Sequence, residues 1–203
     1  ARLGERLGWA SQLIRGGLPR RRAAPLSPIA RKLSREDAMI KGLHHNAYRC
    51  RDSEETRRFY EDFLGLPLAT TLVISETKTG RTTQALHTFY RLDDGSYLAF
   101  FEVPDEPFEF KPQDDYDLHI ALEVEYPDLE RMFAEGPKHG VETRGISDHH
   151  FIHSIYFRDP NGYVVELTAK LPNHDEATDP TLNDARGKLD RWQAAKQQVG
   201  DAG

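Results

Sequence analysis

Cysteine is almost missing from this chain, which has one cysteine, Cys50, in 203 residues. A single cysteine excludes a disulfide within the chain, and such a composition suits the reducing cytoplasm, where we expect the protein to act. Hydrophobic runs of the roughly 18 residues that a membrane span requires are missing too, so we expect no membrane partner. Cys50 stands near no nucleophile motif, and we interpret it as structural.

Basic charge is in deficit, with 27 Lys and Arg residues against 33 Asp and Glu. Residues 1–38 hold nine basic and three acidic residues, so the remaining chain is strongly acidic. An acidic body excludes nucleic acid as the main partner, because binding phosphates needs a basic face. Residues 1–38 are rich in Arg and Pro without sustained periodicity, and we interpret them as an N-terminal extension.

The body of the chain begins with a strand, a helix and three more strands. Asp52 stands three residues before Glu55, which is a capping-box pattern, and Gly65 lies where a helix C-cap belongs. Asp94-Gly95 indicates a hairpin turn. The predicted strands cover residues 40–50, 67–75, 83–91 and 96–103.

The same order then recurs. A strand over 116–124 is followed by a helix over 127–135, which Gly136-Pro137 should end or kink. Strands are predicted at 141–146, 151–158 and 162–168, and a repeated unit is itself a clue to the fold. Residues 171–203 form a polar tail, in which Leu182, Ala185, Leu189 and Trp192 predict an amphipathic helix docked on the body or on a second subunit.

Two histidines and two glutamates occupy matching places in the repeats. His45 and His119 each begin a His-x-Ala triplet on a first strand, while Glu102 and Glu166 lie in apolar fourth strands. A glutamate in such a setting is costly unless it is paired or bound to metal. Imidazole and carboxylate ligands suit Fe(II), Mn, Co, Ni or Zn, so the pattern predicts a divalent-metal site.

The segments GLHHNAYRCRDSEETRRFYEDFLGL, DLHIALEVE and SIYFRDPNGYVVELT resemble the vicinal oxygen chelate superfamily. It includes glyoxalase I, fosfomycin resistance proteins, methylmalonyl-CoA epimerase and type I extradiol dioxygenases. The resemblance covers residues 39–170 and implies an α+β fold of two tandem βαβββ modules, curled around a metal site. It implies His45, His119 and Glu166 as metal ligands, with Glu102 where the glyoxalase and epimerase branches take a fourth.

Among these branches the chain looks most like the small one-domain extradiol dioxygenases, which implies Fe(II) as the metal. Tyr156 stands ten residues before Glu166, as a Tyr does in that branch, and His149 and His150 precede it. The predicted roles are His149 as base, His150 as second choice and Tyr156 as hydrogen-bond donor. Ser96 stands roughly where two-domain dioxygenases carry an acid–base histidine.

Three functions remain open from the sequence. The favoured one is extradiol cleavage of an aromatic diol, because Phe108, Phe110 and Phe151 lie where they could line a pocket mouth. The second is a glyoxalase-like lyase or epimerase, which would use both Glu102 and Glu166 as ligands. The third is a non-enzymatic protein that binds a small molecule. For each of them we expect a homo-oligomer.

Overall fold

The computed structural model describes residues 39–200, with side chains described as far as residue 196. The predicted N-terminal extension, residues 1–38, lies outside the described residues. Every helix and strand below belongs to the unit Gly42–Gly203. Within the described part of the chain, no helix combines the length and apolar character needed to cross a membrane.

Two modules of the same topology form the body of the protein. The first has β1 (Tyr48–Arg49), α1 (Ser53–Arg57) with a π-helical continuation (Arg58–Phe63), β2 (Leu68–Glu76), β3 (Thr82–Arg91) and β4 (Tyr97–Glu102). The second has β5 (His119–Glu123), α2 (Tyr126–Lys138), β6 (Thr143–Asp148), β7 (Ile152–Arg158) and β8 (Val164–Lys170). The sheets run in the orders β1-β4-β3-β2 and β5-β8-β7-β6, which confirms the predicted α+β fold of two βαβββ modules.

Each sheet buries one face against its own helix. In the first module the fully buried Tyr60, Tyr90, Leu98 and Phe100 fill this layer. In the second module Leu129, Ile155, Phe157 and Val165 do the same. Side chains alternate along a strand, so residues one position away from these lie on the other face of the same sheet. On the first sheet this outer face carries His45, and on the second sheet it carries Glu166.

The first helix begins where the sequence predicts. The Asp52 carboxylate accepts hydrogen bonds from the backbone N–H groups of Glu54 and Glu55, both at 2.8 Å, and so acts as the N-cap. The N–H of Ser53 is taken by another residue, Glu102 of β4, whose Oε2 lies 2.8 Å from it. This contact fixes Glu102 on the helix side of the sheet.

Helix α2 corrects one expectation. Gly136-Pro137 was expected to end or kink this helix, but it continues to Lys138 with Pro137 inside its last turn. Gly136 is buried, and a Cβ atom there would stand 2.1 Å from Thr143 Oγ1 and 2.8 Å from Phe157 Cε1. The glycine is therefore needed for the close approach of α2 to the second sheet.

The polar tail contains two helices, α3 (His174–Thr178) and α4 (Ala185–Gly200). The predicted apolar face does not dock on the body, because Leu182, Leu189 and Trp192 remain 65%, 48% and 62% exposed. The expectation that this face docks on the body of the same chain is therefore wrong. A second subunit remains a prediction.

Candidate metal centre

His119 and Glu166 meet on the face of the second sheet that points away from α2. The strands β5 and β8 run parallel with Ala121 opposite Glu166, which brings His119 within reach of the carboxylate. His119 Nε2 lies 3.3 Å from Glu166 Oε2. Glu166 is only 5% exposed, so its carboxyl group is buried beside an imidazole.

The other ring nitrogen of His119 determines what this pair can bind. His119 Nδ1 lies 2.6 Å from the backbone carbonyl oxygen of Asp115. A carbonyl only accepts, so Nδ1 carries the proton and, in the neutral ring, Nε2 presents its lone pair to Glu166. In that neutral form two acceptor atoms face each other, and either a second proton on the ring or a cation bound between them would relieve their repulsion.

The donor set fits a divalent metal ion. In a tetrahedral site, zinc-type bonds of about 2.0–2.2 Å place two ligand atoms about 3.3–3.6 Å apart, and the observed separation of 3.3 Å lies at the short end of this range. A ligating histidine normally donates its other N–H to a carbonyl or carboxylate, as His119 does to Asp115.

Tyr156 and His149 lie beside this pair. The β7–β8 register places Tyr156 directly opposite Glu166, which explains the ten-residue spacing that the sequence shows. The Tyr156 hydroxyl and His149 Nε2 are hydrogen-bonded at 2.8 Å. Burial, and after it the Glu166 charge, raises the pKa of Tyr156, so the hydroxyl stays protonated at neutral pH.

One open cavity of about 1060 Å³ contains these four side chains and His150. His150 adopts a left-handed backbone conformation with φ 73°, and its N–H donates to Asp148 Oδ1 at 2.7 Å. Non-glycine residues seldom occupy this region. Five of the seven predicted site residues therefore share one cavity: His119, His149, His150, Tyr156 and Glu166.

His45 does not line this cavity. It forms a parallel bridge with Tyr97 in the first sheet, and its ring contacts His87 and Phe89 at centroid distances of 6.0 and 5.4 Å. Its side chain is exposed. Among the residues that the structure describes, no three His, Cys, Asp or Glu side chains gather closely enough to hold a metal ion. The assignment of His45 as a ligand remains a prediction.

Glu102 does not join the His119–Glu166 pair either. Its carboxylate accepts from the Ser53 N–H at the N-terminus of α1, where a negative charge is favoured. The repeat itself explains the difference. His45 pairs with Tyr97 as His119 pairs with Val164, so the counterpart of Glu166 is Ala99. Glu102 lies three residues beyond, an odd offset that turns it to the helix side.

Two further residues with potentially reactive side chains, His87 and Cys50, have structural surroundings. His87 is buried and its ring stacks on Phe101 at 3.6 Å, while burial lowers its pKa. Cys50 is 2% exposed in the core, and burial raises its pKa, which confirms it as structural. Of the three phenylalanines expected at a pocket mouth, only Phe151 lines the cavity described above.

Sequence reasoning missed Arg144 and Asp115, which also line the cavity. Arg144 holds the Asp115 carboxylate through contacts of 2.9 and 3.1 Å, and its guanidinium lies 5.3 Å from the Tyr156 ring centroid. Arg144 stands opposite Tyr156 in the β6–β7 pairing. The sequence alone does not give the register of this pairing, so it could not show that Arg144 lies beside the site.

The sequence model of the glyoxalase/bleomycin resistance protein/dioxygenase superfamily matches residues 42–167 of the chain. The chain belongs to this superfamily, in agreement with the resemblance that its motifs carry. No curated protein matches the chain.

Several solved structures share the fold. Fosfomycin resistance protein FosX from Mesorhizobium loti is 23% identical with a TM-score of 0.51, covering 68% of this chain and 99% of its own. A glyoxylase/bleomycin resistance protein/dioxygenase domain from Frankia sp. EAN1pec is 20% identical with a TM-score of 0.52, covering 65% and 99%. FosX from Listeria monocytogenes, complexed with Mn(II) and sulfate, is 21% identical with a TM-score of 0.50, covering 68% and 98%.

Removing one ligand atom tests the pair. Glu166→Gln keeps the shape of the side chain but loses the charge that a divalent ion needs, so Mn(II) binding measured by titration calorimetry should fall at least tenfold. Glu135→Gln is the matched control, because it makes the same change in a glutamate on α2 whose carboxylate lies 3.8 Å from His139. Equal Mn(II) affinity in Glu166→Gln and the wild type would remove Glu166 from the site.

Proposed function

We propose that this protein is a metal-dependent extradiol dioxygenase, which cleaves a catechol-type ring beside its two hydroxyl groups. The observation that carries the proposal is the hydrogen-bonded Tyr156–His149 pair beside the His119–Glu166 pair in one cavity. The first pair can handle protons and the second can bind a metal. Both atoms of O2 enter the product of this cleavage, so the reaction needs no external reductant.

The metal would be held by His119 and Glu166, with His45 as the third ligand. Two histidines and one carboxylate form the ligand set of non-haem Fe(II) oxygenases, which leaves positions open for substrate and O2. A bound metal supplies Lewis acidity and holds the two reactants next to each other. Fe(II) is the proposed metal, and Mn, Ni, Co and Zn are the alternatives that the same ligands accept.

Proton transfer falls to His149, with His150 as the second choice. Imidazole is the side chain best suited to take a proton near neutral pH, and the His149 ring is exposed to the cavity. When His149 Nε2–H donates to the Tyr156 oxygen, His149 Nδ1 is left to accept the proton of a substrate hydroxyl and the Tyr156 hydroxyl is left to donate. Because its raised pKa keeps Tyr156 protonated, this hydroxyl can donate to a developing oxyanion.

The cavity walls support an aromatic substrate. Phe151, Ile152 and Tyr116 line the same space as the polar residues, and Tyr116 is 98% exposed at the opening. Most residues that line this cavity are polar or charged, so these three side chains are the apolar part against which an aromatic ring would pack. An aromatic diol would present its ring to these walls and its two oxygens to the His119–Glu166 pair.

The position of Glu102 favours the dioxygenase over the lyase or epimerase. A lyase of the glyoxalase type would use Glu102 as a further ligand, whereas here this carboxylate caps α1. A site without Glu102 keeps one more position free for catecholate or O2.

His45 would reach the site from a second copy of the chain. Its exposed ring lies on the first sheet, outside the cavity that contains the other two ligands. A symmetric dimer in which the first sheet of one copy covers the second sheet of the other would complete two equivalent sites. This arrangement also gives a reason for the expected homo-oligomer.

Oxygen consumption tests the reaction. The Fe(II)-loaded full chain should take up O2 with at least one member of a catechol panel, measured with an oxygen electrode. Tyr156→Phe should lower kcat by about 10²–10⁴-fold with iron retained, because it removes only the donated hydrogen bond. Tyr126→Phe is the matched control, since Tyr126 makes a similar 3.1 Å contact with His153 outside the cavity.

Glu102→Gln separates the two enzyme classes. The Gln carbonyl can still accept from Ser53, so in a dioxygenase this variant should keep its iron and most of its activity. No O2 uptake with any catechol, combined with metal loss in Glu102→Gln and turnover in a glyoxalase-type assay with nickel, would overturn the dioxygenase and establish the lyase.

Subunit mixing tests the origin of His45. His45→Ala and Glu166→Gln should each bind little metal alone. Co-refolding the two variants should restore part of the bound metal, because a mixed dimer contains one site with every ligand intact. A mixture that binds no more metal than the separate variants would contradict a His45 supplied by the second copy.

A further inference from the structure

We infer that Arg144 and Asp115 form a positioning pair that fixes the tautomer and orientation of His119 and thereby sets metal affinity. The inference rests on the proposed metal site. It concerns two residues that need not touch the metal or the substrate.

Asp115 has two contacts that point in different directions. Its backbone carbonyl oxygen accepts from His119 Nδ1 at 2.6 Å. Its side-chain carboxylate faces Arg144, with NH2 at 2.9 Å from Oδ1 and NH1 at 3.1 Å from Oδ2. The contact that fixes the imidazole is therefore made by the same residue that the guanidinium holds.

The geometry of the pair restrains rotation of Asp115. Two parallel N–H···O contacts between a guanidinium and a carboxylate define the plane and direction of both groups, which one ammonium contact does not do. Glu142 is a weaker competitor, with Oε1 3.6 Å from Arg144 Nε.

The segment that carries Asp115 is held separately at its other end. Gln113 N–H donates to the Gly162 carbonyl at 2.9 Å, and Arg158 donates to the Gln113 carbonyl at 3.0 Å. Gly162 has φ 96°, and a Cβ atom there would lie 2.6 Å from the Lys111 carbonyl oxygen. The turn that contains Asp115 is also closed by hydrogen bonds from the N–H groups of Asp117 and Leu118 to the Asp114 carbonyl, at 3.0 and 3.1 Å. Arg144 adds the side-chain contact that restrains Asp115 itself.

Arg144 is also placed by the sheet that carries Glu166. Arg144 of β6 pairs with Tyr156 of β7, and Tyr156 pairs with Glu166 of β8. The guanidinium lies 5.3 Å from the Tyr156 ring centroid, so packing on this ring supports its position. Arg144 is thus connected to both proposed ligands: to Glu166 through the paired strands β6, β7 and β8, and to His119 through Asp115.

The engaged guanidinium argues against a simpler role for Arg144. An arginine in a cavity often binds an anionic group of a substrate, but the NH1 and NH2 groups of Arg144 already face Asp115. Freeing them for a substrate would release the carbonyl that holds His119. A positioning role uses the contacts as they stand.

The experiment compares Arg144→Gln, Arg144→Lys and the wild type by two measurements on the full chain. The first is the tautomer of His119 in the metal-free protein, from the chemical shifts of its ring nitrogens in 15N NMR spectra. The second is Mn(II) affinity by titration calorimetry. Arg131→Gln is the matched control, because Arg131 makes a similar exposed contact with Asp128 on α2, 2.7 Å long.

The wild type should show a protonated Nδ1, and Arg144→Gln should shift the population towards the Nε2–H form. Mn(II) affinity should fall by about 10–100-fold in Arg144→Gln, as for other groups that orient metal ligands, while Arg144→Lys recovers part of the loss. Arg131→Gln should match the wild type in both measurements.

Unchanged tautomer and affinity in Arg144→Gln would overturn the positioning role and leave the metal site standing. A wild-type protein that binds no Mn(II) would overturn the metal site and, with it, the role of the pair towards metal. The NMR measurement distinguishes the two failures, because it is made without metal.

Discussion

A buried carboxylate needs a positive partner, and Glu166 sets this requirement for the whole second module. Removing an ion from water costs on the order of several kcal/mol unless charge and hydrogen bonds compensate. The groups next to Glu166 are the His119 imidazole and the Tyr156 hydroxyl, whose raised pKa keeps its proton. Either a proton on His119 or a divalent cation bound by the pair would supply the positive charge, and the carbonyl contact at His119 Nδ1, which is typical of ligating histidines, favours the metal.

The sheet register turns that requirement into a site. Antiparallel pairing puts Tyr156 opposite Glu166 and Arg144 opposite Tyr156, while the parallel strand β5 brings His119 alongside. The residues proposed for metal ligation, hydrogen-bond donation and ligand positioning thus occupy adjacent strands of one sheet. His149 and His150, the residues proposed to take the substrate proton, lie in the β6–β7 loop and line the same cavity.

Periodicity and turn residues made most of the fold predictable. The two modules, the N-cap at Asp52 and the hairpin at Asp94-Gly95 follow from local chemistry that acts over a few residues. The end of α2 could not be predicted in this way, because whether Gly136-Pro137 ends a helix depends on which residues pack against it. The docking of α4 failed for a similar reason: an amphipathic pattern defines a face but not what covers it.

The site was predictable where spacing encodes register. Tyr156 and Glu166 are ten residues apart because they face each other across a hairpin, so a sequence pattern finds them. The prediction for Glu102 was wrong because it matched the glutamates of the two fourth strands by residue type. The true counterpart of Glu166 is Ala99, and Glu102, three residues further on, points to the other face of its sheet. Asp115 was out of reach because its contact with His119 uses a backbone carbonyl, an atom that every residue has.

The most direct measurement of the metal site is a crystal structure of the Mn(II)-loaded protein with anomalous scattering at the manganese edge. We expect one anomalous peak per chain, within bonding distance of His119 Nε2, a Glu166 carboxylate oxygen and a His45 ring nitrogen from the second copy. No peak at the His119–Glu166 pair, or a peak bound by Glu102 instead, would contradict the account.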